Sequence, residues 1–186
     1  VGDSTSLHYR NTLYITSGAS DTGTMKIVFP KAKNTGTMLR FRVSGFQYDS
    51  NGQSAWEVHC AGYDSVGSGW IYCGARIVGK APFTSVRFGD DGTKGVLLLG
   101  TTSTNWIYAN VVVEDVVVGF GTTTGWDTGW SGSIVASETG LANIVSATVQ
   151  KDSSVAVGVL PTAVPATTTT DDNHFRVTKH PTCLMV

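Results

Sequence analysis

The sequence predicts an all-β protein, an antiparallel β-sandwich with a jelly-roll-like pair of packed sheets. Three observations predict it. Apolar and polar residues alternate with a period of two through most of the apolar segments, as they do where a strand buries one face. Turn signals rich in Gly, Asn and Asp recur about every 8–12 residues, the spacing of sandwiches and barrels. The charged fraction is 15% and Gly numbers 22 in 186 residues, whereas about 25% charge is usual in soluble domains. No amphipathic helix longer than two turns can be drawn on the chain.

Taken in order, residues 1–11 are polar and read as a leading arm. Thr12–Thr16 and Thr24–Phe29 are strands, the second stopped by Pro30. Lys31–Gly36 is a turn. Met38–Tyr48 alternates, with Leu39, Phe41 and Val43 on one face and Arg40, Arg42 and Ser44 on the other, the mark of a half-buried antiparallel strand. Asn51-Gly52 signals a hairpin. Ser54–Gly62 follows, with Trp56, Val58 and Cys60 inward and Glu57 and His59 outward. Gly69–Ile77, Thr84–Phe88 and Thr93–Leu99 are further strands, the last two joined by an Asp90-Asp91-Gly92 turn. Trp130–Ala136 and Ile144–Gln150 close the series after the Gly-rich segment Gly121–Gly129.

The longest β-favouring run is Asn105–Phe120. It reads as one long central strand on which the others pair or pack. Ile107, Ala109, Val111, Val113, Asp115 and Val117 share its apolar face; Trp106, Tyr108, Asn110, Val112 and Glu114 share the other. A bulge near Glu114–Asp115 would re-aim the side chains.

The domain plan is 1–150 for the sandwich and 151–186 for a linker and tail, because two Pro and a Thr run in VLPTAVPATTTTDD cannot build a core. Beginning at Val1 without Met, the chain reads as a fragment of something longer. No basic block supplies the footprint of a nucleic-acid binder. No stretch reaches the roughly 20 apolar residues of a membrane helix, and no signal peptide is visible. Cys60, Cys73 and Cys183 have neither zinc spacing nor an even count. Cys60 and Cys73 fall in neighbouring strands, so a bridge is open, but small buried thiols are the preferred reading, which points to a reducing compartment.

The strongest enzymatic reading pairs Gly2-Asp3-Ser4 with Asp171-X-X-His174, which resemble by type and order the Ser and Asp-X-X-His boxes of SGNH (GDSL) esterases. That chemistry needs a Ser on a strand-to-helix elbow and an oxyanion box. The chain offers neither helices nor that box, so the expectation is a protein that is not an enzyme. His8, His59, His174 and His180 have no metal-ligand spacing, and no cofactor or metal is expected. Glu114 and Asp115, adjacent on a strand, should point to opposite faces and so form no acid–base pair.

The aromatics are the binding candidates. Trp70 and Tyr72 share one parity of one strand, and Trp106 and Tyr108 do the same in the long run. Trp126, Asp127 and Trp130 lie in a polar Gly-rich loop. Flat rings beside Asp, Asn and Thr suit a sugar, whose C–H face stacks on the ring while polar groups bond its hydroxyls. Core packing is the competing reading for all of them and the preferred one for Trp56, Trp70 and Trp106. For Trp126 and Trp130 both readings stand.

The order MLRFRVSGFQYD, SAWEVHCAGYDSVGSGWIY, SVRFGDDGTKGVLLLGTTSTNWIYANVVVEDVVVGF and GWDTGWSGSIV, over roughly residues 24–136, resembles a C-terminal segment of bacteriophage tail fibre proteins. The resemblance implies a homotrimeric, receptor-binding fibre tip that recognises a bacterial surface glycan or outer-membrane protein. It also implies location in the virion after assembly in the host cytoplasm. It supplies no fixed binding residues. A structural or trimerisation segment, a free-standing carbohydrate-binding module and a glycan-modifying esterase remain the alternatives.

Overall fold

The computed structural model describes residues 7–10, 12–50 and 52–151, with residues 52 and 53 in their backbone only. Residues 1–6 and 152–186, and with them Ser4, Asp171, His174, His180, Cys183 and almost all of the proposed tail, lie outside the described residues.

The described chain is all-β. Its strands are β1 (Leu7–Tyr9), β2 (Leu13–Thr16), β3 (Asp21–Thr22), β4 (Thr24–Ala32), β5 (Thr37–Asp49), β6 (Gly52–Ser65) and β7 (Gly69–Gly79). They continue with β8 (Val86–Asp90), β9 (Lys94–Leu99), β10 (Asn105–Trp106), β11 (Asn110–Gly119), β12 (Ser131–Val135), β13 (Ala142–Ser146) and β14 (Thr148–Lys151). The larger sheet runs β1-β11-β5-β6-β7-β14, with β2 also on β11; the smaller runs β12-β4-β9-β8-β13; β3 and β10 make a short ribbon. All described pairings are antiparallel except β14 on β7.

The two sheets share one core. Leu39, Phe41 and Val43 of β5 and Val58 and Cys60 of β6 point inward from the larger sheet; Met25, Ile27 and Phe29 of β4 and Leu97 and Leu99 of β9 point inward from the smaller. Rings bridge the layers: Phe29 meets Phe41 at 5.7 Å and Trp70 at 5.2 Å between centroids, and Trp70 meets Phe88 at 5.1 Å. Gly95 permits this approach, since a Cβ there would lie 2.8 Å from the Phe29 ring and 2.9 Å from that of Trp70. Loop anchors complete the frame. Asp64 accepts from the Asn34 and Thr35 amides at 2.9 and 2.8 Å and so holds the turn before β5. Asp90 and Asp91 tie their own turn through the Gly92, Thr93 and Lys94 amides, as the Asp-Asp-Gly sequence predicts.

Several boundaries differ from expectation. Asn105–Phe120 is not one strand, nor the centre of its sheet. It breaks at Ile107–Ala109 into β10 and β11, and the axis of the sheet is the β5–β6 hairpin, paired from Thr37↔Asp64 to Asp49↔Gly52. The predicted bend at Glu114–Asp115 is present: the register shifts between Glu114 and Val117, and Asp115 takes φ 53°. Pro30 does not end β4, because it sits where the β4–β9 register shifts between Val28 and Ala32 and no ladder N–H is required. Ile144–Gln150 divides at Ala147 into β13 and β14, which join different sheets. The leading arm contributes β1, and Gly121–Gly129 forms no strand.

Candidate binding surface

Three of the predicted ring platforms fail on burial, and so does Trp70. Trp106 is 0% exposed, Trp126 2%, Trp70 3% and Trp130 8%. Trp106 donates to the Gly23 carbonyl at 2.9 Å, Trp126 to that of Thr122 at 2.9 Å and Trp130 to that of Trp126 at 2.7 Å. Trp130 packs on Phe29 and Phe41 at 5.4 and 5.9 Å. The Gly125–Trp130 loop therefore folds its rings down over the end of the core, leaving Asp127 in solvent. The indole N–H of Trp70 has no partner among the described residues, but all four rings are buried, so these tryptophans stabilise the fold and offer no stacking surface.

Tyr72 and Tyr108 are the expected rings that do face solvent, and each is parted from its tryptophan by a change of parity. In β7 the register shifts opposite Ala61–Tyr63, and Tyr72 takes φ 54°. Trp70, Cys73, Ala75 and Ile77 then face the core and Tyr72 stands 87% exposed. Tyr108, at φ 48°, occupies the break between β10 and β11, and is exposed while Trp106 is buried. One extra residue in a strand turns every later side chain over.

The outer face of the larger sheet gathers what the sequence reading missed. Along β5 the residues alternating with the core set are Met38, Arg40, Arg42, Ser44, Phe46 and Tyr48, and Met38, Phe46 and Tyr48 are all exposed. Their signal was present in the sequence: large apolar residues at both ends of the parity assigned to water. Two hollows lie on this face. The larger, about 650 Å³, is lined by Met38, Arg40, Ala61, Tyr63, Tyr72, Val117 and Phe120 among others. Phe120 meets Tyr63 edge-on at 6.2 Å and has φ 56°. The smaller, about 450 Å³, is lined by Tyr14, Ser44, Phe46, Glu57, Val78 and Val112 among others, and the Tyr14 hydroxyl bonds Asn110.

A charged belt separates the two hollows. Arg42 lies 3.0 Å from Glu114, 2.8 Å from Asp115 and 3.6 Å from Glu57, while His59 reaches Glu57 at 3.4 Å and His8 reaches Asp115 at 3.2 Å. Partial burial opposes the charge on Arg42, but the surrounding carboxylates prevail and hold its pKa above the ordinary arginine value. The expectation that Glu114 and Asp115 point apart is thus corrected. The bulge at Asp115 turns both acids onto one guanidinium, where they serve as its counter-ions. Arg40, two residues before Arg42, has Ala61 and Val117 as cross-strand partners, and its side chain makes no ion pair or hydrogen bond among the described residues.

The thiols behave as predicted. Cys60 and Cys73 are free and buried. Burial pushes Cys73 up to about 11 and, with the neighbouring Cys73, pushes Cys60 higher still, so neither is a nucleophile at neutral pH. Among the described residues no group of three His, Cys, Asp or Glu could hold a metal ion, and no helix is long and apolar enough to cross a membrane. Compared with protein-family models, with curated proteins and with solved structures, the chain finds no match.

Proposed function

We propose that this chain is the receptor-binding tip of a bacteriophage tail fibre, a non-catalytic module that attaches the virion to a bacterial surface glycan. The observation that carries the reading is the outer face of the larger sheet. There Met38, Tyr72 and Phe120 stand 57%, 87% and 57% exposed around one hollow, a concentration of apolar surface that monomeric proteins ordinarily cover. Tyr72 in β7, Asp115 in β11 and Phe120 just after β11 hold left-handed backbone without being glycine. Such strain costs about 1–3 kcal/mol each and concentrates at functional sites. The tail-fibre resemblance of residues 24–136 supplies the biological setting. Association into a homotrimer belongs to the same proposal: three weak sites on one fibre bind together by avidity.

The test is binding of the labelled full chain to a panel of bacterial strains. Tyr72→Gly combined with Phe120→Gly is expected to abolish retention on any strain that the unmodified chain binds. Retention unchanged by that double variant contradicts the surface assignment. A second reading, a trimerisation segment that binds nothing, draws on the same exposed residues, since another copy could cover them. It predicts a trimer by light scattering that Met38→Glu dissociates, with no retention on any strain.

A further inference from the structure

We infer that the larger hollow on the outer face is a subsite for an anionic saccharide, with Arg40 as the group that reads the charge and Tyr72 and Phe120 as the rings that hold the sugar. The inference rests on the proposed receptor-binding function and names its ligand class.

The two arginines of β5 make the argument by contrast. Arg42 is neutralised by Glu57, Glu114 and Asp115. Arg40, one step along the same face, sits between Ala61 and Val117 and has no carboxylate partner among the described residues. Arg40 is exposed at the wall of the hollow, so its guanidinium is free to reach a ligand, and its planar donors match a carboxylate or phosphate. The rest of the lining includes the side chains of Met38, Tyr63, Tyr72 and Phe120. About 650 Å³ falls within the roughly 300–1,000 Å³ of small-ligand sites.

The exposure of the walls selects the occupant. Tyr72 and Phe120 are held outward at φ 54° and 56°, so an acyl chain or apolar peptide lying between them would keep one flank in water. A sugar does not incur that loss: its C–H face covers a ring, its hydroxyls stay hydrated, and one acidic group reaches Arg40. A second copy of the chain is a poorer fit. The belt of Glu57, Glu114, Asp115 and Arg42 crosses this face, and a copy seated over both hollows would have to desolvate those charges.

Calorimetric titration of the full chain with trigalacturonate, with neutral galactotriose and with glucose 6-phosphate tests this. Trigalacturonate or the phosphate should bind at least about tenfold more tightly than galactotriose, the factor expected of one charge-assisted contact; which of the two does so identifies the anion as carboxylate or phosphate. Arg40→Gln should erase the preference, Arg40→Lys should keep part of it, and Tyr72→Gly should weaken every ligand. Equal binding of charged and neutral sugars, a preference that survives Arg40→Gln, or no binding at concentrations on the order of 10 mM overturns the inference. So does an oligomer that Met38→Glu dissociates, which would make the hollow an interface between copies. Retention on cells that is lost in Tyr72→Gly without any anionic preference leaves the receptor-binding reading standing and removes only this one.

Discussion

Along β5, Leu39, Phe41 and Val43 face the core almost without exposure, while Met38, Phe46 and Tyr48 on the opposite side stand in solvent. The same strand thus carries large apolar groups on both faces for different ends. On the inner face they are covered by the second sheet, at a gain of about 1.5–3 kcal/mol for each fully buried side chain. On the outer face they gain little in the isolated chain. Apolar surface that does not stabilise its own fold is available to a partner, and this separation of stability from recognition can be tested residue by residue.

The largest expected effect comes from the inner face. Trp106→Ala should lower unfolding free energy by about 3–5 kcal/mol in urea titration, the range for removing a buried Trp or Phe, and Trp126→Ala should follow the same direction. Loss of cell retention by a Trp126 variant that remains fully stable would break the comparison. Next is close packing across the β5–β6 hairpin. A Cβ on Gly45 would lie 2.4 Å from the Trp56 ring, whereas one on Gly74 meets nothing within 4 Å. Gly45→Ala should therefore cost about 1–3 kcal/mol and Gly74→Ala far less, compared by thermal melts.

A third test is acid stability. Burial of Asp90 pushes its pKa up, but hydrogen bonds from Lys33, Asn143 and the Gly92 amide outweigh that and hold it below the usual carboxylate value. Glu138 is lowered chiefly by its hydrogen bonds from Arg87, and Asp91 by backbone amides that outweigh its burial. A depressed folded pKa gives stability that is present above the unfolded value of about 3.9–4.3 and is lost as pH falls through the folded one. Urea midpoints should drop below about pH 4. Asp90→Asn should lower stability at pH 7 by about 1–3 kcal/mol and flatten the acid limb. The smallest stability effect belongs to the outer face. Tyr72→Gly relieves a left-handed backbone and removes a ring that buries little, so stability should stay level or rise by up to about 1 kcal/mol.

How far the sequence carries the fold depends on bulges. β5 keeps strict alternation from Thr37 to Asp49, and there the burial pattern follows from parity alone. β7 and β11 each contain a residue with positive φ, Tyr72 and Asp115, beyond which parity reverses. Pairing Trp70 with Tyr72, and setting Glu114 against Asp115, failed for this one reason. The bend at Asp115 was legible because two acids interrupt a valine run; nothing comparable marks Tyr72 in GWIYCG. The Gly125–Trp130 loop failed differently. Its composition is polar, but a single Trp contributes more apolar area than its Gly and Thr neighbours, and two of them draw the loop onto the core. Arg40 and Arg42 look identical in sequence. Only the register, with Ala61 and Val117 beside one and His59 and Glu114 beside the other, tells them apart.

The most direct measurement sets the two faces against each other: retention of the folded full chain on a bound bacterial strain, for Tyr72→Gly/Phe120→Gly and for the conservative core variant Trp126→Phe, each with its melting temperature. The account predicts that the outer-face pair loses retention at an undiminished melting temperature, while Trp126→Phe melts lower and, below its melt, is retained as before. Retention kept by the outer-face pair and lost by a folded Trp126→Phe would contradict it.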